Sequence, residues 1–124
     1  MASAQSKPST LETVVTDGLL EIRRGPENET CLIQLIGELD LANAGSVEKE
    51  LHVVEAQTPA TIVLDLSGLD FIDSSGIALL IHAAHRSQAN GHMLRLIPGP
   101  RAVRHTLEIC GVDRVLPFLD REAL

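Results

Sequence analysis

Two adjacent hydroxyls, Ser74 and Ser75, lie between an acidic stretch, Asp70-Phe71-Ile72-Asp73, and an apolar run, Gly76-Ile77-Ala78-Leu79-Leu80. Ile77, Leu80, Ile81 and Ala84 recur at helical spacing, so the serines fall in the first turn of a helix, with Asp73 as N-cap and Ser75 as second helical residue. A helix start carries unpaired backbone N–H groups and the positive end of the macrodipole, and a serine there can bear a phosphate without distorting the backbone. Such a phosphate adds roughly −1.5 to −2 charges. Asp70, Asp73 and Asp40 would repel it, and a partner docked on this acidic stretch would meet a bulky anion while the fold persisted. Asp-Ser-Ser is also what a plain helix cap requires, so the tripeptide by itself does not separate a switch from a cap.

A serine between a strand and a helix has to be tested as a hydrolase nucleophile. That elbow needs Gly two positions before and two after the serine, where this chain has Asp73 and Ile77. His82 is about two turns, or ~10 Å, farther along the helix, beyond hydrogen-bond reach, and His105 could approach only through the tertiary fold. The chain is not read as an enzyme, and no catalytic residue is assigned. His82 and His85 have a spacing that suits two metal ligands, but no Cys or carboxylate motif completes the set, so neither metal nor cofactor is expected. Gly-rich nucleotide motifs are absent, which favours a kinase substrate over a kinase. Arg101, Arg104 and His105 put positive charge at the helix end that the dipole disfavours and read as a solvated face.

With 124 residues, 44% of them hydrophobic, the chain fits one domain that can bury a core without disulfides or metal. A net charge of −7 opposes binding to a phosphate backbone, and Phe71 and Phe118 are the only rings available for stacking on bases. Nucleic acid is thereby excluded as a partner, and a basic protein surface is favoured. Cys31 and Cys110 sit in apolar runs and are expected to be buried free thiols. No apolar run approaches the ~20 residues of a membrane helix, so no direct membrane insertion is expected. The first ten residues lack the apolar core of a signal peptide, and the expected location is cytoplasmic.

The elements that must position the serines are set by periodicity. Residues 1–12 are expected to be a disordered N-terminal tail and 13–124 a single domain. Leu20 and Ile22 alternate with Glu21 and Arg23 as a strand, and Gly25 to Glu29 form a turn. Cys31 to Ile36 pair back as a more central strand. Ala44, Val47, Leu51 and Val54 make a helix with Asn43 as N-cap, ended by Thr58-Pro59. Thr61 to Leu64 form a buried strand that runs into the acidic segment, taken as a short loop before the serine helix. His92 to Ile97 form the next strand, and Val103, Leu107 and Cys110 are the buried stripe of a last helix. Val115 to Phe118 read as a short edge strand. The result is an α/β fold with a mixed four- to five-stranded sheet, an N-terminal hairpin followed by parallel crossovers, and helices packed on it.

Leu64 to Leu80, with its Asp-Ser-Ser-Gly turn, resembles the signature of the STAS domain, the module named for sulphate transporters and anti-sigma factor antagonists. Gly37-Glu38-Leu39-Asp40 after an apolar strand, and Ile109-Cys110-Gly111-Val112 before Val115-Leu116, extend the likeness over roughly residues 18 to 120. Ala78 stands where many members have a second glycine; Ala favours the helix by about 1 kcal/mol. The stand-alone antagonist branch implies the same STAS fold, phosphorylation of Ser75, with Ser74 as a second candidate acceptor, and a partner face of Asp40, Asp73, Ser74, Ser75 and Gly76. It further implies that the unphosphorylated protein binds an anti-sigma factor serine kinase and releases a sigma factor. The kinase brings its own ATP and Mg²⁺, and a phosphatase resets the switch. Other members of the family imply two alternatives, a regulatory subunit of a membrane transporter complex and a ligand-sensing STAS module.

Overall fold

β-Branched and leucine-rich sequence from Thr61 onward forms a long central strand, and the rest of the sheet is arranged about it. The computed structural model describes residues 11–26 and 28–119; most of the expected tail, residues 1–10, lies outside these, as does Glu27 of the expected turn. The strands are β1 (Glu12–Asp17), β2 (Leu20–Arg24), β3 (Thr30–Leu39), β4 (Thr61–Ile72) and β5 (Met93–Ile97). The helices are α1 (Ala44–Glu55), α2 (Ser74–Asn90) and α3 (Arg101–Ile109). One five-stranded sheet runs in the order β1-β2-β3-β4-β5. β1, β2 and β3 pair antiparallel through hairpins, and β3, β4 and β5 pair parallel through the helical crossovers.

Burial alternates along the strands, with Cys31, Ile33 and Leu35 of β3 and Leu94 and Leu96 of β5 fully inside. Their intervening neighbours Gln34 and Arg95 are half-buried. Val47, Leu51 and Val54 of α1 and Ile77, Leu80 and Ala83 of α2 complete one continuous core.

Four expectations need correction. The expected tail does not extend to residue 12: Glu12–Asp17 form a separate strand β1, and the chain turns at Gly18, with φ 61°, into β2. The acidic segment is not a loop, because β4 continues to Ile72, pairing Gly37 with Leu69 beyond one irregularity in register and Leu39 with Ile72 beyond a second. Val115 to Phe118 do not form a strand: Pro117 has no N–H to donate, and a single parallel bridge joins Phe118 to Leu96. Leu96 donates its N–H to the Pro117 carbonyl at 3.0 Å. Lastly, Cys31 is buried but Cys110 is exposed, because α3 ends at Ile109 and the chain turns away at Gly111, with φ 74°.

A charged clamp joins α1 to α2. Arg86 donates from Nε to both Glu55 carboxylate oxygens at 3.0 and 3.2 Å, and from an Nη to Glu48 at 2.7 Å. Burial alone would lower the guanidinium pKa, but hydrogen bonds and charge attraction from Glu55 and Glu48 outweigh it and hold the pKa above its ordinary value. Arg86→Ala leaves two glutamates facing each other unneutralised. It is expected to cost about 1–2 kcal/mol, read as a lower midpoint in thermal denaturation with unchanged far-ultraviolet circular dichroism at 25 °C.

Glycines in the first turns of the two helices differ. A Cβ at Gly76 would come within 2.7 Å of Ile72 Cγ1 and 2.8 Å of Leu39 Cγ, whereas one at Gly45 would meet nothing within 4 Å. Gly76→Ala is expected to destabilise by about 1–3 kcal/mol through overpacking. Gly45→Ala should be neutral or stabilise by up to about 1 kcal/mol, the pair being compared by urea denaturation.

Candidate functional site

The C-terminal ends of β3 and β4 lie side by side, and Asp73 ties together the turns into which they lead. Its backbone is extended, so it stands outside α2 as the N-cap. Oδ1 accepts from the Ser75 and Gly76 N–H groups at 2.9 and 3.2 Å, and Oδ2 accepts from the Leu41 N–H at 3.1 Å. The Asp73 N–H in turn donates to the Leu39 carbonyl at 3.1 Å. One carboxylate therefore caps α2 and also holds the β3–α1 turn against it.

Asp40 and Asn43 shape that turn. Asp40 Oδ1 accepts from the Ala42 N–H at 3.0 Å, and the Asp40 N–H donates to Asn43 Oδ1 at 3.0 Å. Asn43 stands at the N-cap position of α1 without capping it; its buried amide donates instead to the Glu38 carbonyl at 2.8 Å. The same amide reaches the Asp17 carbonyl at 3.5 Å, tying the turn to the β1–β2 hairpin. That hairpin presses against Gly37, where a Cβ would stand 2.0 Å from the Leu19 carbonyl, and Gly37 is free to adopt φ 109°. Leu19 O also accepts from the Glu38 N–H at 3.0 Å.

Of the expected site residues, Ser74 is exposed, while Ser75, Asp40 and Asp73 are half-buried, and all four meet at this end of the sheet. Gly76 is buried against Ile72 and Leu39, which puts it beneath the face rather than on it. Among the described residues, neither serine hydroxyl has a hydrogen-bond partner, so both are free to react. Two of the N–H groups at the α2 start are already taken by Asp73. A negative group added at Ser75 would therefore stand beside an occupied anion seat, next to the carboxylate that fills it.

Sequence reasoning missed the apolar part of this face. Leu41 is 78% exposed, Leu19 68% and Phe71 47%, and each flanks the turns just described. The available signal was their position, a large apolar residue beside a turn where periodicity gives it no core to enter. His82 and His85 are exposed on α2, and the described residues contain no cluster of three or more metal-ligating side chains.

Removal of the Asp73 carboxylate strips the acceptor from three N–H groups. Asp73→Ala is expected to lose about 2 kcal/mol or more. Asp73→Asn, which keeps a capping oxygen, should lose clearly less, as guanidinium denaturation would measure.

The comparisons agree with this architecture. A profile of the STAS domain matches residues 20–123. The anti-sigma-F factor antagonist RsfA of Mycobacterium tuberculosis is 35% identical over 88 residues, 69% of each chain. An anti-sigma F factor antagonist of Lysinibacillus sphaericus is 33% identical over 86 residues, 68% of this chain and 73% of that one. Among solved structures, the antagonist SpoIIAA in its unphosphorylated form superposes with a TM-score of 0.63 at 23% identity, covering 92% of this chain and 90% of its own. Bacillus SpoIIAA in its phosphorylated form gives 0.58 at the same identity, with 92% and 93% covered. With the sheet order, the capped serine turn and these matches together, the chain belongs to the STAS domain family, on its anti-sigma factor antagonist branch.

Proposed function

We propose that this protein binds an anti-sigma factor through the face around the α2 N-terminus, and that phosphorylation of Ser75 switches the binding off. The observation that carries this is the combination of two unbonded serine hydroxyls with exposed Leu41, Phe71 and Leu19 on one rigid end of the sheet. The apolar side chains supply contact area for a partner, and the serines lie where that partner would cover them.

In this cycle the unphosphorylated protein occupies the anti-sigma factor and releases a sigma factor, and the anti-sigma factor is itself the serine kinase. The kinase transfers the γ-phosphoryl group of its own ATP to the Ser75 hydroxyl, leaving ADP and a phosphoserine ester, and a phosphatase hydrolyses the ester. Ser74, more exposed, is the second acceptor to be tested. The work of the switch is local. A dianionic group beside Asp73, on a face that also carries Asp40, cannot be buried in an interface without a basic partner group, and like-charge burial costs several kcal/mol. Asp73 keeps its three N–H partners, so α2 and the β3–α1 turn stay in place. The chain acts as a regulatory binding protein rather than an enzyme, in the cytoplasm where sigma factors work.

The test pairs the purified protein with the anti-sigma factor of its own cell. Ser75→Asp should weaken binding by about 100-fold or more, roughly 3 kcal/mol, while Ser75→Ala keeps affinity and no longer takes up phosphate from ATP. Leu41→Ala should weaken binding by about 5- to 30-fold without changing the thermal midpoint. Full affinity in Ser75→Asp, or undiminished phosphate uptake by Ser75→Ala, would overturn the assignment of Ser75. Recovery of transporter subunits in place of an anti-sigma factor would support a regulatory subunit of a transporter complex.

A further inference from the structure

At the opposite end of α2 a second concave site lies between the last turns of that helix, β5 and the segment after α3. The cavity measures about 210 Å³ and is lined by Ser87, Gln88, His92, Arg95, Val115 and their neighbours. It stands about 18 Å along the helix from Ser75, and its chemistry differs from the acidic face there.

The walls have donors to spare and few acceptors. The Ala84 carbonyl already accepts from Ser87 Oγ at 2.9 Å, and the Ser87 carbonyl accepts from the Gly91 N–H at 3.0 Å. The Leu94 carbonyl accepts from an Arg95 Nη at 3.0 Å. Among the described residues that bond is the sole partner of the guanidinium, the Gln88 amide is uncommitted, and no carboxylate lines the cavity. Among the described residues His92 Nε2, which is buried, lacks a hydrogen-bond partner, an arrangement that is costly unless something pairs with it. In a chain of net charge −7, this cation has no acidic partner among the described residues. Exposed Met93 and Val115 give the mouth an apolar rim.

We propose that this cavity binds a small organic acid, its carboxylate on Arg95 and Gln88 and its short apolar body against Met93 and Val115. Nε2 of His92, buried at the wall, is a further polar group available to the carboxylate. The volume is below that of drug-sized pockets, which restricts the ligand to a few carbon atoms. The site stands independently of the role assigned to Ser75.

Butyrate is the probe, titrated into ¹⁵N-labelled protein at pH 7.4 with ionic strength matched by sodium chloride. Saturable amide shifts are expected at Ser87, Gln88, His92 to Arg95 and Val115, with half-saturation in the low-millimolar range. Butyramide, equal in shape but uncharged, should produce none. Arg95→Gln should weaken binding at least ~10-fold, and Val115→Trp, a change at an exposed side chain that fills the mouth, should abolish it while the spectrum stays dispersed. Non-saturating shifts, equal shifts with butyramide, unchanged binding in Arg95→Gln, or shifts centred on Arg101 and Arg104 would each overturn the proposal.

Discussion

One carboxylate sets the geometry of the candidate site. Asp73 caps α2 through two N–H groups and holds the β3–α1 turn through a third, so the orientation of the serines and the position of Leu41 are fixed together. A charged acceptor at a helix start is favoured by the macrodipole as well as by its hydrogen bonds. Because the carboxylate already serves that positive end, an added phosphate on Ser75 has no equivalent seat to move into. In the proposed switch its effect falls on whatever approaches from outside.

The surrounding structure supports that rigidity. Gly76 lets the first turn of α2 sit directly on Leu39 and Ile72, and Gly37 lets the β1–β2 hairpin close against β3. Asn43 joins hairpin and turn from within. Farther along α2, Arg86 fastens the helix to α1 through Glu48 and Glu55. A helix held at both ends presents its serines in one orientation, which suits the binding face proposed for it. The same helix carries the Arg95 cavity at its other end, with opposite charge character, so a single chain offers an acidic face and a cationic hollow.

Several parts of this arrangement were legible in the chain itself. The change from alternating to helical period on either side of Asp73 marked both the strand and the helix, and the residue type at the junction marked the cap. Local chemistry decided these features, and local chemistry is what a sequence displays. Asp70 and Phe71 read as loop because acidic and small residues usually interrupt strands; here β3 pairs with Leu69, Phe71 and Ile72, and Asp70 is taken up in the irregularity between them. Val115 to Phe118 were misread in the other direction, since apolar content without free N–H groups does not make a ladder. Cys110 kept helical spacing with Leu107 yet lies outside, because the helix stops one residue earlier than the pattern suggested.

The α/β class, the order of strands and helices from β3 to α3, and the serine turn with its cap were determined by the sequence alone, through periodicity, turn chemistry and capping, all of which act within a few residues. Only the tertiary structure decided which distant groups meet. Asp73 reaches Leu41, Arg86 reaches Glu48 and Glu55, Leu19 closes on Gly37, and Arg95 has no acid among the described residues. These contacts depend on the parallel register of β3, β4 and β5 and on the helices that connect them. Residues about thirty positions apart become neighbours only when strands pair, and no local preference specifies which side chains then face each other.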